Sequence, residues 1–223
     1  AAALELVVYY SDMLAQRRAA RTDDLTSALL DAEIDGDRLT DDEIIGFLFL
    51  MVVAGNETTT KLLANAWYWG WRNPEQAARP FADPSLIPAW VEETLRYDTS
   101  SQMLARTTTC DVEIAGGTIP AGDRVLLLAG SANRDERQFA EPDRYDLARH
   151  LPAEGGGVQQ LASFGFGRHF CLGASLARLE ARVALEEIVE RIAGYEVHPD
   201  GIERVHSINV RGFAALPTTV EVR

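Results

Sequence analysis

The sequence has few cysteines and fewer basic than acidic residues, and each shortage argues against a class of protein. Its two cysteines, Cys110 and Cys171, lie far apart, which is typical of reduced thiols in a cytoplasm rather than of a disulfide framework. Its 21 basic residues face 34 acidic ones, and the formal net charge of −13 disfavours binding to the phosphate backbone of nucleic acids. We therefore expect a cytoplasmic protein that does not bind nucleic acid.

The sequence also has no long apolar run. The longest uncharged stretch, residues 44–56, is shorter than the roughly 20 apolar residues of a membrane-spanning helix, so we expect no membrane anchor. The first ten residues have no basic segment and carry Glu5, which predicts a helix rather than a targeting segment. With 223 residues, 47% of them hydrophobic, the chain can bury a sizeable core in one large or two small domains.

The spacing of apolar residues and turn signals predicts a mainly α protein with small antiparallel β-sheets. Thr40 and Glu43 form a capping box, and no proline follows before Pro74, so a long helix is expected over about 41–71. Its middle, residues 47–55, is apolar on all sides and implies burial all round. We treat the chain as a single domain whose other segments are helices over 1–30, a helix over about 87–97, a β region over 103–128, a meander over 129–163, a glycine-rich loop over 164–173, a final helix over about 172–193 and a C-terminal β segment over 195–223.

The most specific feature is the glycine-rich loop FGFGRHFCLG, residues 164–173, which brings Cys171 to the start of a helix. Free backbone N–H groups and the helix dipole at such a position favour a thiolate and can tune an iron bound to it. A lone cysteine is more often an inert core residue. The loop resembles the haem loop of the cytochrome P-450 superfamily at its Phe, both glycines before the cysteine, the His, the Cys and the Gly after it.

The resemblance implies a haem b cofactor whose iron is ligated by Cys171. Phe164 would pack beside the thiolate, and His169 would hydrogen-bond a haem propionate. Arg106 falls where the family has a second propionate contact, although a solvated strand arginine is an equally good interpretation. The cofactor-binding residues that the resemblance implies are Cys171, Phe164, Gly165, Gly167, His169, Gly173, Arg106 and Ala54.

The segment AGNETT, residues 54–59, resembles the acid–alcohol motif of the family's long central helix. Oxygen activation needs protons delivered into a dry pocket, and a carboxylate beside a hydroxyl can relay them, so Glu57 and Thr58 are the candidate catalytic residues. Gly55 supplies a point where the helix can open. The alternative is that Thr58 bonds back to a carbonyl and Glu57 is a surface residue.

Glu93 and Arg96 form an E-x-x-R pair that shares a helix face. Such pairs are common on surfaces, but the resemblance implies a buried network that locks the haem-side core. Its third charge would be Arg149, with Arg144 as the alternative.

The family pattern places the substrate pocket at 100–104 and 209–213, and the lining residues expected in this chain are Val53, Gly55, Ser101, Gln102, Met103 and Val210. The resemblance implies a soluble, bacterial-type monooxygenase that inserts one oxygen atom from dioxygen into a lipophilic small molecule. Electrons would come from a ferredoxin and its reductase, docking near Arg168, Arg178 and Arg182.

The resemblance covers nearly the whole chain, which is roughly half of a usual family member. It therefore implies the C-terminal, haem-binding portion of the cytochrome P-450 fold, as a truncated polypeptide or as a natural remnant. Without the other half, the apolar run in the central helix would be exposed. The alternatives are a peroxide-driven haem-thiolate enzyme, a non-catalytic haem-binding protein, an inactive fragment and a non-haem redox thiol protein.

Overall fold

The computed structural model describes residues 2–154, 156 and 160–223. Within these residues the protein is mainly helical with small antiparallel sheets, which confirms the fold class expected from the sequence. The helices are α1 (Ala2–Ala19), α2 (Leu25–Asp31), α3 (Asp41–Arg72), α4 (Pro74–Ala82), α5 (Ile87–Tyr97), α6 (Ala129–Ala132) and α7 (Ala174–Arg191).

The described strands form two-stranded antiparallel pairs. They are β1 (Glu33–Ile34) with β2 (Asp37–Arg38), β3 (Leu104–Thr107) with β6 (Arg124–Leu127), β4 (Val112–Ile114) with β5 (Gly117–Ile119), β7 (Ile192–Val197) with β10 (Thr218–Val222), and β8 (Glu203–Arg204) with β9 (Phe213–Ala215).

The chain divides into two compact units, Ala1–Glu57 and Thr58–Arg223, whereas a single domain is expected from the sequence. Each unit has its own buried apolar cluster. In the first unit α1, α2 and α3 meet at Tyr10, Leu14, Leu30, Ile44 and Leu48. In the second, α3, α5, α7 and the meander bury a larger set that includes Leu62, Trp90, Leu95, Phe139, Leu147 and Leu185.

Helix α3 begins as the capping box predicts. The Thr40 N–H donates to Glu43 Oε2 at 2.8 Å, and the Glu43 N–H donates to Thr40 Oγ1 at 3.3 Å. These two bonds satisfy N–H groups that have no partner inside the helix, and the bonds from the backbone and the hydroxyl of Thr40 lower the pKa of Glu43.

The expected burial all round the middle of α3 is wrong for this chain. Leu50, Val52 and Val53 are 57, 46 and 57% exposed, whereas Leu48 is buried. The first unit's cluster takes up only the face of the helix that carries Ile44 and Leu48.

Helix α4 lies between the helices expected over about 41–71 and about 87–97, in a stretch for which no element was expected. It begins with Pro74 at its first turn, where a missing N–H costs nothing, and it contains Pro80. One face buries Gln76, Ala77 and Pro80, and this packing offsets the backbone hydrogen bond that Pro80 cannot make.

Candidate functional site

The loop that carries Cys171 is closed by its own backbone. Gly165 and Gly167 have φ of +69° and +68°, in the left-handed region that favours glycine. The Cys171 N–H then donates to the carbonyl oxygen of Phe164 at 2.9 Å, and the Ala174 N–H donates to that of Cys171 at 3.2 Å. The thiol is therefore presented, exposed, immediately before the first turn of α7.

The surroundings of this thiol are apolar and open. Phe166, Phe170 and Leu172 are 55, 52 and 75% exposed. The loop therefore has a solvent-exposed apolar surface that a flat apolar ligand can cover. A Cβ added at Gly173 would lie 4.0 Å from Cys171 Sγ. An exposed thiol with apolar neighbours and three nearby glycines fits the requirements of a porphyrin held through its iron.

Phe164 anchors the loop to the core of the second unit. Its ring packs against the buried cluster, and the Arg178 guanidinium lies over it at 4.6 Å from the ring centroid. Arg178 is itself held by Glu92, with Nε to Oε1 at 2.5 Å and Nη2 to Oε2 at 3.1 Å. The Phe164 ring is therefore held in place by the buried cluster and by Arg178.

Behind the loop, Glu93 and Arg96 on α5 form an ion pair in which both side chains are fully buried. Two guanidinium nitrogens of Arg96 donate to the two carboxylate oxygens of Glu93, each at 2.8 Å. Arg96 also donates to the carbonyl oxygens of Asn133, Pro142 and Arg144 at 3.1, 2.8 and 2.9 Å. One side chain of α5 thus holds the meander at several points.

Two further basic side chains approach Glu93. Arg149 Nε lies 3.6 Å from Glu93 Oε1, whereas the Arg144 side chain turns outward to Glu141 and Asp146. His150 was missed from the sequence: its Nε2 lies 3.0 Å from Glu93 Oε2, and its side chain is 5% exposed. The only signal for it was its position next to Arg149.

The electrostatic balance at Glu93 favours the carboxylate. Burial raises the pKa of Glu93, but the hydrogen bonds from Arg96 and His150 and the positive charge of Arg96 together hold it below its usual value. Glu93 is therefore charged at neutral pH and needs its cations.

The two residues expected to contact the haem propionates, Arg106 and His169, are exposed. Arg106 lies on β3 and donates to the carbonyl oxygen of Ala105 at 2.8 Å, and His169 lies on the short turn Gly167–His169. Both are placed so that solvent or a ligand can reach them.

The acid–alcohol pair spans the boundary between the two units on α3. Val53, Ala54, Gly55 and Glu57 belong to the first unit and are exposed. Thr58 begins the second unit and is partly buried, and its carbonyl oxygen accepts a hydrogen bond from Ser100 Oγ at 2.8 Å.

The two segments expected to line the substrate pocket pair with each other. The Gln102 N–H donates to the carbonyl oxygen of Asn209 at 2.7 Å, and Ser101 forms an antiparallel bridge with Val210. Ser101, Gln102 and Val210 are thus brought together, and Met103 follows Gln102 in the chain.

The three arginines proposed for redox-partner docking differ in their surroundings. Arg168 is exposed on the loop. Arg178 is tied to Glu92, and Arg182 Nε lies 3.6 Å from Glu186 Oε1. The positive field near Cys171 is therefore weaker than the sequence suggests.

None of the helices in the described parts of the chain combines the length and the apolar character of a membrane span.

Comparison with known proteins decides the family. The family model for cytochrome P-450 matches residues 80–222. The chain belongs to the cytochrome P-450 family. A solved cytochrome P-450 from Chondromyces apiculatus is 42% identical with a TM-score of 0.90, and the match covers 99% of this chain and 55% of that one.

Two curated relatives extend the comparison. A putative cytochrome P-450 123 of Mycobacterium tuberculosis is 60% identical over 100% of this chain and 54% of its own length. A methyl-branched lipid omega-hydroxylase of Mycobacterium bovis is 40% identical over 96% of this chain and 49% of its own length. The chain thus spans about half the length of the curated relatives that it matches.

Proposed function

We propose that this chain is the haem-binding portion of a cytoplasmic monooxygenase that inserts one oxygen atom from dioxygen into a lipophilic small molecule. The observation that carries the proposal is the exposed Cys171 thiol on a closed, glycine-rich loop before α7. The lipid hydroxylase among the relatives supports the substrate class.

Cys171 would be the axial ligand of haem b, with Gly165, Gly167 and Gly173 leaving room for the porphyrin. Bound haem would supply the reductive activation of dioxygen. His169 and Arg106 would hold the propionates. The buried Glu93–Arg96 pair, with Arg149, would keep the meander and the Cys171 loop in place.

Glu57 and Thr58 would deliver protons. The exposed Glu57 carboxylate can take a proton from solvent, and the partly buried Thr58 hydroxyl can pass it inward. Gly55, whose surroundings leave open space within 4 Å, would let the helix open. Ser101, Gln102, Met103 and Val210 would line the pocket.

Electrons would come from a ferredoxin and its reductase. Arg168 and Arg182 are better candidates for docking than Arg178, because the bidentate contact with Glu92 already engages the Arg178 guanidinium. In a protein whose formal net charge is −13, a localised basic patch can steer the approach of a redox partner.

The test is turnover of a long-chain fatty acid by the haem-supplemented chain, with Thr58→Ala and the matched control Thr59→Ala. We expect hydroxylated product only with ferredoxin, reductase, NAD(P)H and dioxygen. Thr58→Ala should lower the product formed per electron consumed several-fold, and Thr59→Ala should not.

Other outcomes discriminate the alternatives. Turnover with hydrogen peroxide alone would favour a peroxide-driven enzyme. Bound haem without product under either condition would favour a haem-binding protein. Failure to bind haem would mean that the chain alone is an inactive portion.

A further inference from the structure

Asp98 is a buried carboxylate at the C-terminal end of α5, where three parts of the second unit meet. Its side chain is 3% exposed. Oδ2 accepts from Trp69 Nε1 on α3 at 2.7 Å, and Oδ1 accepts from Arg211 Nε at 2.6 Å. Arg204 Nη1, on β8, lies 3.5 Å from Oδ2.

A second side chain of α3 joins the same two residues through their backbones. Asn65 is fully buried, and its Nδ2 donates to the carbonyl oxygens of Asp98 at 2.8 Å and of Arg211 at 3.2 Å. We call Asn65, Trp69, Asp98, Arg204 and Arg211 the Asp98 cluster.

The Asp98 cluster lies directly beside the two segments that the proposed function assigns to the substrate pocket. The Arg211 N–H donates to the carbonyl oxygen of Ser100 at 2.8 Å, and the Gln102 N–H donates to that of Asn209 at 2.7 Å. A two-strand contact this short is marginal by itself in water. Its orientation must therefore come from neighbouring anchors.

Those anchors also connect the segments to α3 near the proposed proton relay. Ser100 Oγ donates to the Thr58 carbonyl oxygen at 2.8 Å. Lys61 Nζ donates to the carbonyl oxygen of Phe213 at 2.8 Å, and a Cβ at Gly212 would come within 2.7 Å of Lys61. Gly212 and Phe213 thus contact Lys61 of α3, and the preceding Arg211 is held by Asp98.

The distribution of charge makes Asp98 the centre of the arrangement. Arg211 and Arg204 are 49 and 36% exposed, so water can solvate them if the carboxylate is lost. The buried carboxylate has no such substitute and needs its donors. Removing the charge at Asp98 should therefore loosen the segments without unfolding the unit.

We propose that Asp98 is a positioning residue for substrate specificity, which fixes 100–103 and 209–213 against α3 without itself lining the pocket. We call this fixation of the two segments by Asp98 the clamp. The clamp is a property of this chain, and only the claim about substrate specificity rests on the proposed function. Asp98→Asn keeps the size of the side chain, Arg211→Gln removes the partner, and Asp146→Asn is the matched control because Asp146 contacts neither segment.

The first measurement is amide hydrogen exchange in the chain without haem. Asp98→Asn and Arg211→Gln should each speed exchange at Gln102 and Arg211 (or residue 211 in the second variant) at least tenfold. The double variant should add little, because the two residues act as a pair. Asp146→Asn should leave both sites unchanged. Wild-type exchange at these amides in both single variants would overturn the clamp.

The second measurement separates specificity from general damage in the haem-supplemented chain. The probes are imidazole, which needs only the iron, and 4-phenylimidazole, which also contacts the pocket wall. Asp98→Asn should weaken the binding of 4-phenylimidazole at least fivefold relative to the binding of imidazole, and Asp146→Asn should not change this ratio. An unchanged ratio would overturn the specificity role. Failure of the wild-type chain to bind haem would contradict the proposed function, while faster exchange would still support the clamp.

Discussion

Glu93→Gln tests the buried network most severely. The change keeps the shape of the side chain but removes a charge that faces Arg96, Arg149 and His150 in a site where Glu93 and Arg96 are fully buried. Removing one partner of a buried ion pair costs about 3–5 kcal/mol, because the other charge stays buried without compensation. That is a large share of a typical unfolding free energy of about 5–15 kcal/mol.

Urea unfolding followed by tryptophan fluorescence measures this loss, since Trp67, Trp69, Trp71 and Trp90 all lie in the second unit. With a slope of about 2 kcal/mol per molar urea, the midpoint should fall by about 2 M.

The adjacent Glu92→Gln is the matched control. Among the residues that the structure describes, Glu92 pairs with Arg178 alone, and the two side chains are 25 and 37% exposed, so about 1 kcal/mol or less should be lost. Equal midpoints for Glu92→Gln and Glu93→Gln would refute the network's role. Glu93→Gln should also abolish haem incorporation, and normal haem retention would count equally against it.

Three other predictions concern the pH dependence of the Glu93 network, the Cys171 loop and the docking surface. The pKa of Glu93 is held below its usual value, so the unfolded chain binds more protons than the folded one as the pH falls through the usual carboxyl range. In urea unfolding at each pH, the stability difference between wild type and Glu93→Gln should be present at neutral pH and should shrink below about pH 4. Gly167→Ala places a Cβ at φ +68°, which costs about 1–2 kcal/mol and should weaken haem binding about 5–30-fold in a spectral titration, whereas Gly46→Ala should not change it. Arg168→Glu should slow reduction by ferredoxin several-fold at low ionic strength but leave reduction by dithionite unchanged; equal ferredoxin rates would exclude Arg168 from the docking surface.

Features set by neighbouring residues were predictable from the sequence. The capping box of Thr40 and Glu43 specifies the start of α3 within four residues, and the structure contains both bonds. The i, i+3 spacing of Glu93 and Arg96 likewise places both charges on one face of a helix, although the spacing alone says nothing of their burial.

Features set by distant contacts were not predictable. His150 reaches Glu93 across 57 residues of sequence, and Arg211 reaches Asp98 across 113. No local pattern marks either contact, since a histidine after an arginine and an aspartate after a helix are ordinary. Helix α4 was hidden for a different reason: Pro80 disfavours a helix locally, and only the packing of its buried face overrides that.

The central claim is that Cys171 ligates haem through a thiolate. The most direct measurement is the absorption spectrum of the haem-supplemented chain after reduction with dithionite and addition of carbon monoxide, for wild type, Cys171→Ser and Cys110→Ser. Both cysteines are exposed and free, so the second variant controls for loss of a thiol elsewhere. A long-wavelength Soret band should appear in wild type and Cys110→Ser and be absent from Cys171→Ser. The same band in Cys171→Ser, or haem binding without that band in wild type, would contradict the account.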